Sequence, residues 1–221
     1  MKIRIHPQII GQQQDETPDD FSSSAIDVKN NWSYAVYLLV AGAVGGTLQV
    51  NGLDMFEDAL EKRIFEALQD NACNLSIRAE FVRVKKGETR AFQFDIGPSP
   101  ELYLPLIVLA ARAKDTSVLS NFNTVIEHNP EQWQSRFDTL TRLGMELKLQ
   151  DGLLIIKGGH HLKPSSIEAI TDPALLAAIV LMGLSGDAPL TLHEAHLLED
   201  LFPGMINDLN KILAVKIETL S

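Results

Sequence analysis

The sequence is poor in cysteine and in long apolar runs. Among its 221 residues the single cysteine is Cys73, so an intrachain disulfide is excluded. No apolar stretch reaches the ~18 residues that suggest a membrane-spanning helix. Residues 2–6 alternate between polar and apolar side chains, the chain then becomes polar, and no secretory signal pattern is present. We therefore expect a cytoplasmic protein that is held together by its hydrophobic core.

Positive charge is also scarce. The chain has 19 Lys and Arg residues against 29 Asp and Glu residues, a formal net charge of −10, and the basic residues are scattered along the sequence. An excess of negative charge repels phosphate backbones and anionic lipid headgroups. The sequence therefore argues against nucleic-acid and membrane partners.

Apolar residues are abundant enough for a sizeable core. They make up 45% of the sequence, which at this chain length is sufficient for a stable fold without metal or disulfide bonds. One segment, residues 12–24, has the polar composition of a linker and is interpreted as a mobile loop. We expect a single domain that spans residues 1–221.

An apolar run of helix length, followed by a stop and a strand, occurs three times. The runs cover about Ser33–Val44, Leu102–Arg112 and Leu175–Leu184. The strands that follow begin near Thr47, Thr116 and Pro189, at regular separations of 69 and 73 residues. Because these helices have no polar face, they must be buried.

Each copy also contains a second, amphipathic helix, recognised by apolar residues at three-to-four spacing. These helices are predicted at about Phe56–Asn71, Pro130–Leu143 and Pro203–Leu213. Strand pairs follow in the first two copies: Cys73–Ile77 with Glu80–Val84, and Met145–Leu149 with Leu153–Lys157. Asp151-Gly152 predicts a tight hairpin turn in the second pair, because Asp-Gly readily adopts positive φ.

The third copy ends early, with only residues 214–219 after its second helix. The alternating N-terminal residues 2–5 are predicted to form a strand that pairs there or at the edge of a neighbouring sheet. The repeat is strand–helix–strand–helix–strand–strand. The predicted fold is therefore α/β, with three pseudo-symmetric units, buried helices inside and sheets outside, the reverse of an ordinary α/β barrel.

Two histidine-containing segments have residue types that could bind a metal ion. His193, Glu194, His196 and Glu199 are residue types that suit zinc, but a polar loop leading into a helix explains them without a metal. His160-His161 is interpreted as an exposed loop, because adjacent side chains of an extended segment point to opposite faces. Trp32 and Trp133, at helix starts, are interpreted as core residues rather than stacking platforms. No metal and no cofactor are expected.

Several short segments carry a family resemblance in consistent order and spacing. They are Asn30–Ala35 before the first buried helix, Pro100-Glu101 before the second, Leu140–Gly144 at the end of an amphipathic helix, Asp172-Pro173-Ala174 before the third buried helix, and Phe202-Pro203. From about Ala25 onward the chain resembles the C-terminal half of the EPSP synthase family of enolpyruvyl transferases. There the corresponding motifs read Gly-Asp-x-Ser-Ser-Ala, Pro-Asp, Leu-x-x-Leu-Gly, Asp-His-Arg and Phe-Pro.

The resemblance implies a function in aromatic amino acid biosynthesis. The family transfers the enolpyruvyl group of phosphoenolpyruvate to shikimate 3-phosphate, in a cleft between two domains of this kind. Glu101 stands at a family acid position and is the candidate catalytic residue that the resemblance implies.

The family's basic residues do not carry over. Its Lys-Glu-Ser/Thr-Asp-Arg motif reads His128-Asn129-Pro130-Glu131-Gln132 here, its phosphoenolpyruvate-binding arginine is Ala174, and a basic residue before Phe-Pro is Asp200. Substrates with several negative charges need Arg or Lys partners. We therefore expect the chain to be inactive by itself, with a separate N-terminal-type domain or a second copy as partner. The alternative is a non-catalytic relative that binds a protein partner or another small ligand.

Overall fold

The computed structural model describes residues 1–6, 25–159, 166–167, 170–186, 189–213 and 216–220. The loop predicted at residues 12–24 and the His160-His161 pair lie outside these ranges. The described elements are, in chain order, β1 (Lys2–His6), β2 (Ala25–Asp27), α1 (Trp32–Gly45), β3 (Thr47–Asn51), α2 (Ile64–Asp70), β4 (Asn74–Ile77), β5 (Phe81–Lys85), β6 (Gln93–Asp95), α3 (Tyr103–Ala111), β7 (Ser117–Ser120), α4 (Asn123–His128), α5 (Pro130–Arg142), β8 (Leu147–Gln150), β9 (Leu153–Ile156), β10 (Ser166–Ile167), α6 (Pro173–Leu184), β11 (Leu190–Leu192), α7 (His196–Leu201), α8 (Met205–Ile212) and β12 (Lys216–Leu220).

The strands form three four-stranded sheets with the same pairing pattern. Their orders are β2-β3-β5-β4, β6-β7-β9-β8 and β10-β11-β1-β12. In each sheet the first pair is parallel and the next two pairs are antiparallel. β1 completes the third sheet by pairing with both β11 and β12, in the register Ile5↔Leu190 and Ile5↔Ile217. The N-terminal strand thus takes a central place in the sheet of the third copy.

The three apolar helices form the centre of the core. α1, α3 and α6 pack against one another, and nearly every residue of each is buried. The prediction that the helices without a polar face are buried is correct, and their ends differ from the predicted ones by at most two residues.

Gly42 allows α1 to lie directly against its own sheet. A Cβ atom at this position would lie 2.6 Å from Val84 Cγ1 and 2.8 Å from Leu48 Cβ, closer than packed carbon atoms can approach. At the end of α1, Gly46 has a φ of 155° and its N–H donates to the Gly42 carbonyl. The glycines of this segment therefore set the distance between helix and sheet and stop the helix.

The amphipathic helix predicted at Phe56–Asn71 is shorter than expected. Residues 60–63 form a 3₁₀ turn and α2 begins only at Ile64. The preceding residues are held as a loop, because the Phe56 N–H donates to Asp54 Oδ1 at 2.8 Å and Lys62 Nζ donates to the Met55 carbonyl at 2.9 Å. Such side-chain hydrogen bonds compete with the helical hydrogen bonds of the backbone.

The hairpin predicted at Asp151-Gly152 is present. Asp151 and Gly152 have φ values of 52° and 74°, as a tight turn between two antiparallel strands requires. Among the described residues, no helix combines the length and the hydropathy needed to cross a bilayer.

Candidate functional site

The N-terminal ends of the three buried helices lie side by side. The Tyr37 hydroxyl, near the start of α1, donates to the carbonyl of Ala174 in the first turn of α6 at 3.4 Å. Arg136 of α5 connects Asp172, the N-cap of α6, with Tyr103 at the start of α3. Any group bound at this end of the core would therefore face three helix N-termini, which carry partial positive charge.

A cleft of about 480 Å³ opens at the starts of α1 and α3. We call it the acidic cleft. Its lining residues are Asn30, Asn31, Trp32, Ser33, Glu57, Asp58, Ala59, Leu60, Glu61 and Glu101. The structure thus places Glu101, in the 3₁₀ turn before α3, next to residues 30–33, two segments that are about 70 residues apart in the sequence.

Within the described ranges, the cleft is lined by four carboxylates and by no lysine or arginine. Two of the carboxylates accept hydrogen bonds from uncharged side chains. Asn30 Nδ2 donates to Glu57 Oε2 at 2.7 Å, and Ser33 Oγ donates to Glu61 Oε1 at 3.3 Å. The side chain of Glu101 is exposed, yet the protein atoms around its carboxyl group raise its pKa by desolvation, and the negative charge of Glu61 raises it further. Four carboxylates thus lie at the positive ends of α1 and α3.

Two cations near the cleft have partners within the chain. Lys62 Nζ donates to the carbonyls of Met55 and Glu57 and lies 5.2 Å from the centre of the Trp32 ring. Arg63 Nη1 donates to the Asp95 carbonyl at 2.7 Å and to Ser99 Oγ at 3.1 Å. Both cations stabilise the loop and the 3₁₀ turn that form the cleft wall.

Arg136 is a buried cation that sequence reasoning missed. It forms two bonds with the Asp172 carboxylate, Nε to Oδ2 at 2.6 Å and Nη2 to Oδ1 at 2.9 Å, and it also donates to the Tyr103 hydroxyl. Burial raises the pKa of Asp172, but the hydrogen bond from Arg136 and the N–H groups at the start of α6 lower it below its usual value overall. The charge of this arginine is thus neutralised by an internal carboxylate.

The four residues that the resemblance aligns with the family's other basic positions lie on four different helices. His128 ends α4, Gln132 lies in the first turn of α5, and both are exposed. Ala174 is half-buried in the first turn of α6, and Asp200 is exposed on α7. Neither Ala174 nor Asp200 can supply a positive charge.

The two tryptophans, the segment around His196 and Cys73 lie in surroundings that do not indicate a chemical role. Trp32 and Trp133 are buried, as expected for core residues. His196 Nδ1 lies 3.3 Å from Glu194 Oε2 where α7 begins, and the described residues contain no group of three or more His, Cys, Asp or Glu side chains that could hold a metal ion. Burial raises the pKa of the Cys73 thiol to about 11, which makes it a poor nucleophile.

The arrangement of sheets, buried helices and cleft defines a mixed α/β domain of the kind found in enolpyruvyl transferases. The family model described as EPSP synthase (3-phosphoshikimate 1-carboxyvinyltransferase) matches residues 3–209, and the chain belongs to that family. Similar curated proteins include the 3-phosphoshikimate 1-carboxyvinyltransferases of Pyrococcus abyssi, 24% identical over 96% of this chain and 48% of its own length, and of Methanocella arvoryzae, 27% identical over 90% and 47%.

Solved structures agree on the fold. An EPSP synthase of Acinetobacter baumannii aligns with a TM-score of 0.69 at 17% identity, over 87% of this chain and 47% of that one. The enolpyruvyl transferase NikO of Streptomyces tendae aligns with a TM-score of 0.65 at 19% identity, over 86% and 45%. The chain thus spans about half the length of the relatives that it matches.

Proposed function

We propose that this domain of the EPSP synthase family does not, by itself, transfer an enolpyruvyl group to shikimate 3-phosphate. The observation that carries the proposal is the acidic cleft, lined by Glu57, Asp58, Glu61 and Glu101 where a polyanion site would need lysine and arginine. Phosphoenolpyruvate and shikimate 3-phosphate each carry phosphate and carboxylate charges, and the carboxylates of the cleft repel both.

The backbone donors at the helix starts do not offset that repulsion. The side chain of Asn31 accepts the N–H of Tyr34, and Asp172 accepts the N–H of Leu175. These two are among the N–H groups at the starts of α1 and α6 that would otherwise be available to an anion. The only buried arginine of this region, among the described residues, is Arg136, and it is paired with Asp172.

We further propose that the domain corresponds to the C-terminal half of its relatives and has three pseudo-symmetric units around the buried helices, an inside-out barrel. The common pairing pattern of the three sheets supports this proposal. In such a domain Glu101 is the retained family acid, and its raised pKa favours a role in proton transfer. That role requires cations from another polypeptide.

A second candidate function is favoured by the length of the match. Because the chain spans about half of its relatives, it is a candidate for one half of a split enzyme. A separate N-terminal-type domain, or a second copy of this chain, would then complete the active site.

Phosphate release from phosphoenolpyruvate in the presence of shikimate 3-phosphate tests both proposals. We expect none from the purified chain, while the 3-phosphoshikimate 1-carboxyvinyltransferase of Pyrococcus abyssi serves as the positive control. Adding the separately produced first half of that relative tests complementation. Turnover by the chain alone would overturn the proposal that it is inactive by itself, and turnover only in the mixture would favour the split enzyme.

A further inference from the structure

Two large apolar side chains are exposed beside the acidic cleft and form what we call its rim: Leu60 is one of its lining residues, and Phe56 directly precedes the lining residue Glu57. Phe56 has 92% of its surface exposed, and Leu60 has 54%. The loop that carries Phe56 is fixed, because the Asp54 N–H donates to Asn30 Oδ1 and the Phe56 N–H donates to Asp54 Oδ1, both at 2.8 Å. The ring is therefore held in solvent by a hydrogen-bonded loop.

We propose that this rim and the cleft beside it bind a basic protein segment that also carries an apolar side chain. The docking surface consists of Phe56 and Leu60 together with Glu57, Asp58, Glu61 and Glu101. The inference goes beyond enolpyruvyl transfer and does not depend on whether the chain is catalytic.

The combination of groups fits a protein segment. Interfaces are stabilised mainly by a few apolar or aromatic anchors, while surrounding charges steer and select the partner. Phe56 and Leu60 supply anchors, and the cleft of about 480 Å³ has the size of pockets that accept a small molecule or a few side chains. The four carboxylates select lysine and arginine.

Charge also disfavours a symmetric dimer, nucleic acid and anionic membranes as occupants of this surface. A symmetric contact with a second copy would place the same carboxylates opposite one another, and the chain already carries a net charge of −10. Nucleic acid and anionic membranes are repelled by the same field. The occupant with complementary charge is a basic segment of a different protein.

The proposal is tested by the fluorescence anisotropy of a labelled peptide that alternates lysine and leucine and contains one tryptophan. We expect it to bind the full chain, more weakly at high salt. We expect Phe56→Ser and Glu61→Lys each to weaken binding by about tenfold or more. Leu153→Ser on β9 and Glu80→Lys in the β4–β5 turn, matched changes at other exposed positions, should leave the affinity unchanged.

Two further peptides separate the apolar from the electrostatic contribution. One replaces the lysines by glutamate, and the other replaces the leucines and the tryptophan by serine. Neither should bind, and unfolding curves of all four variants confirm that they are folded. The proposal is overturned if the lysine–leucine peptide does not bind, if the serine peptide or spermine binds equally well, or if the two pairs of variants behave alike. It is also overturned if sedimentation detects a dimer that Phe56→Ser dissociates.

Discussion

Replacing Val108 by aspartate should remove the folded state. Val108 is fully buried in the middle of α3, which packs against both α1 and α6. An isolated carboxylate in such a core costs several kcal/mol, a large part of the total stability of about 5–15 kcal/mol that is usual for a domain. Circular dichroism of Val108→Asp should lack the cooperative thermal transition of the parent chain.

The matched control is Ser135→Asp, which introduces the same carboxylate on the exposed face of α5. Its melting temperature should stay within a few degrees of that of the parent protein. If Val108→Asp melted like Ser135→Asp, Val108 would not be a core residue and the central position of α3 would be wrong.

Replacing Arg136 by methionine should destabilise the protein by about 3–5 kcal/mol, because removing one partner of a buried ion pair leaves the other charge uncompensated. The Asp172 carboxylate would lose both of its bonds to the guanidinium group, and the Tyr103 hydroxyl would lose a donor. Urea unfolding at neutral pH measures the difference. Arg142→Met, one to two turns further along α5 and exposed, should cost less than about 1 kcal/mol.

The pH dependence of stability separates the ion pair from simple packing. Because the folded state lowers the pKa of Asp172, the contribution of its ionised carboxylate is complete above the ordinary aspartate pKa near 3.9 and is lost as the pH falls through the lowered value. This acid-sensitive contribution should be absent in Asp172→Asn. Arg136→Met combined with Asp172→Asn should recover part of the stability that Arg136→Met loses, and equal instability of the single and double variants would contradict the ion-pair account.

The buried helices could be predicted from sequence because their evidence is local. Each of α1, α3 and α6 is a continuous apolar run, and a helix without a polar face has no stable position on a surface. The hairpin at Asp151-Gly152 was predictable for the same reason, from the conformational preference of two adjacent residues. The position of β1 between β11 and β12 could not be fixed from the sequence, because it depends on pairing between residues 185–218 positions apart.

The candidate site was only partly predictable. Glu101 came from the resemblance, and the structure places it in a cleft with residues 30–33. The cleft wall at Glu57, Asp58 and Glu61 was not predicted, because a regular helix was expected from Phe56. Hydrogen bonds that Asp54 accepts and Lys62 donates keep a loop there instead. Arg136 and Asp172 are 36 positions apart in the sequence, and no short motif marks such a pair. Their ion pair could therefore not be predicted.

Isothermal titration calorimetry of the purified chain with shikimate 3-phosphate, with and without phosphoenolpyruvate, tests the central claim most directly. Because the carboxylates of the acidic cleft repel anions, we expect no binding heat for either compound at concentrations that saturate the Pyrococcus abyssi relative. Micromolar binding that Ser33→Asp in the cleft abolishes, and that Ser135→Asp on α5 leaves intact, would contradict the account, because it would show that the cleft binds the substrates despite its four carboxylates.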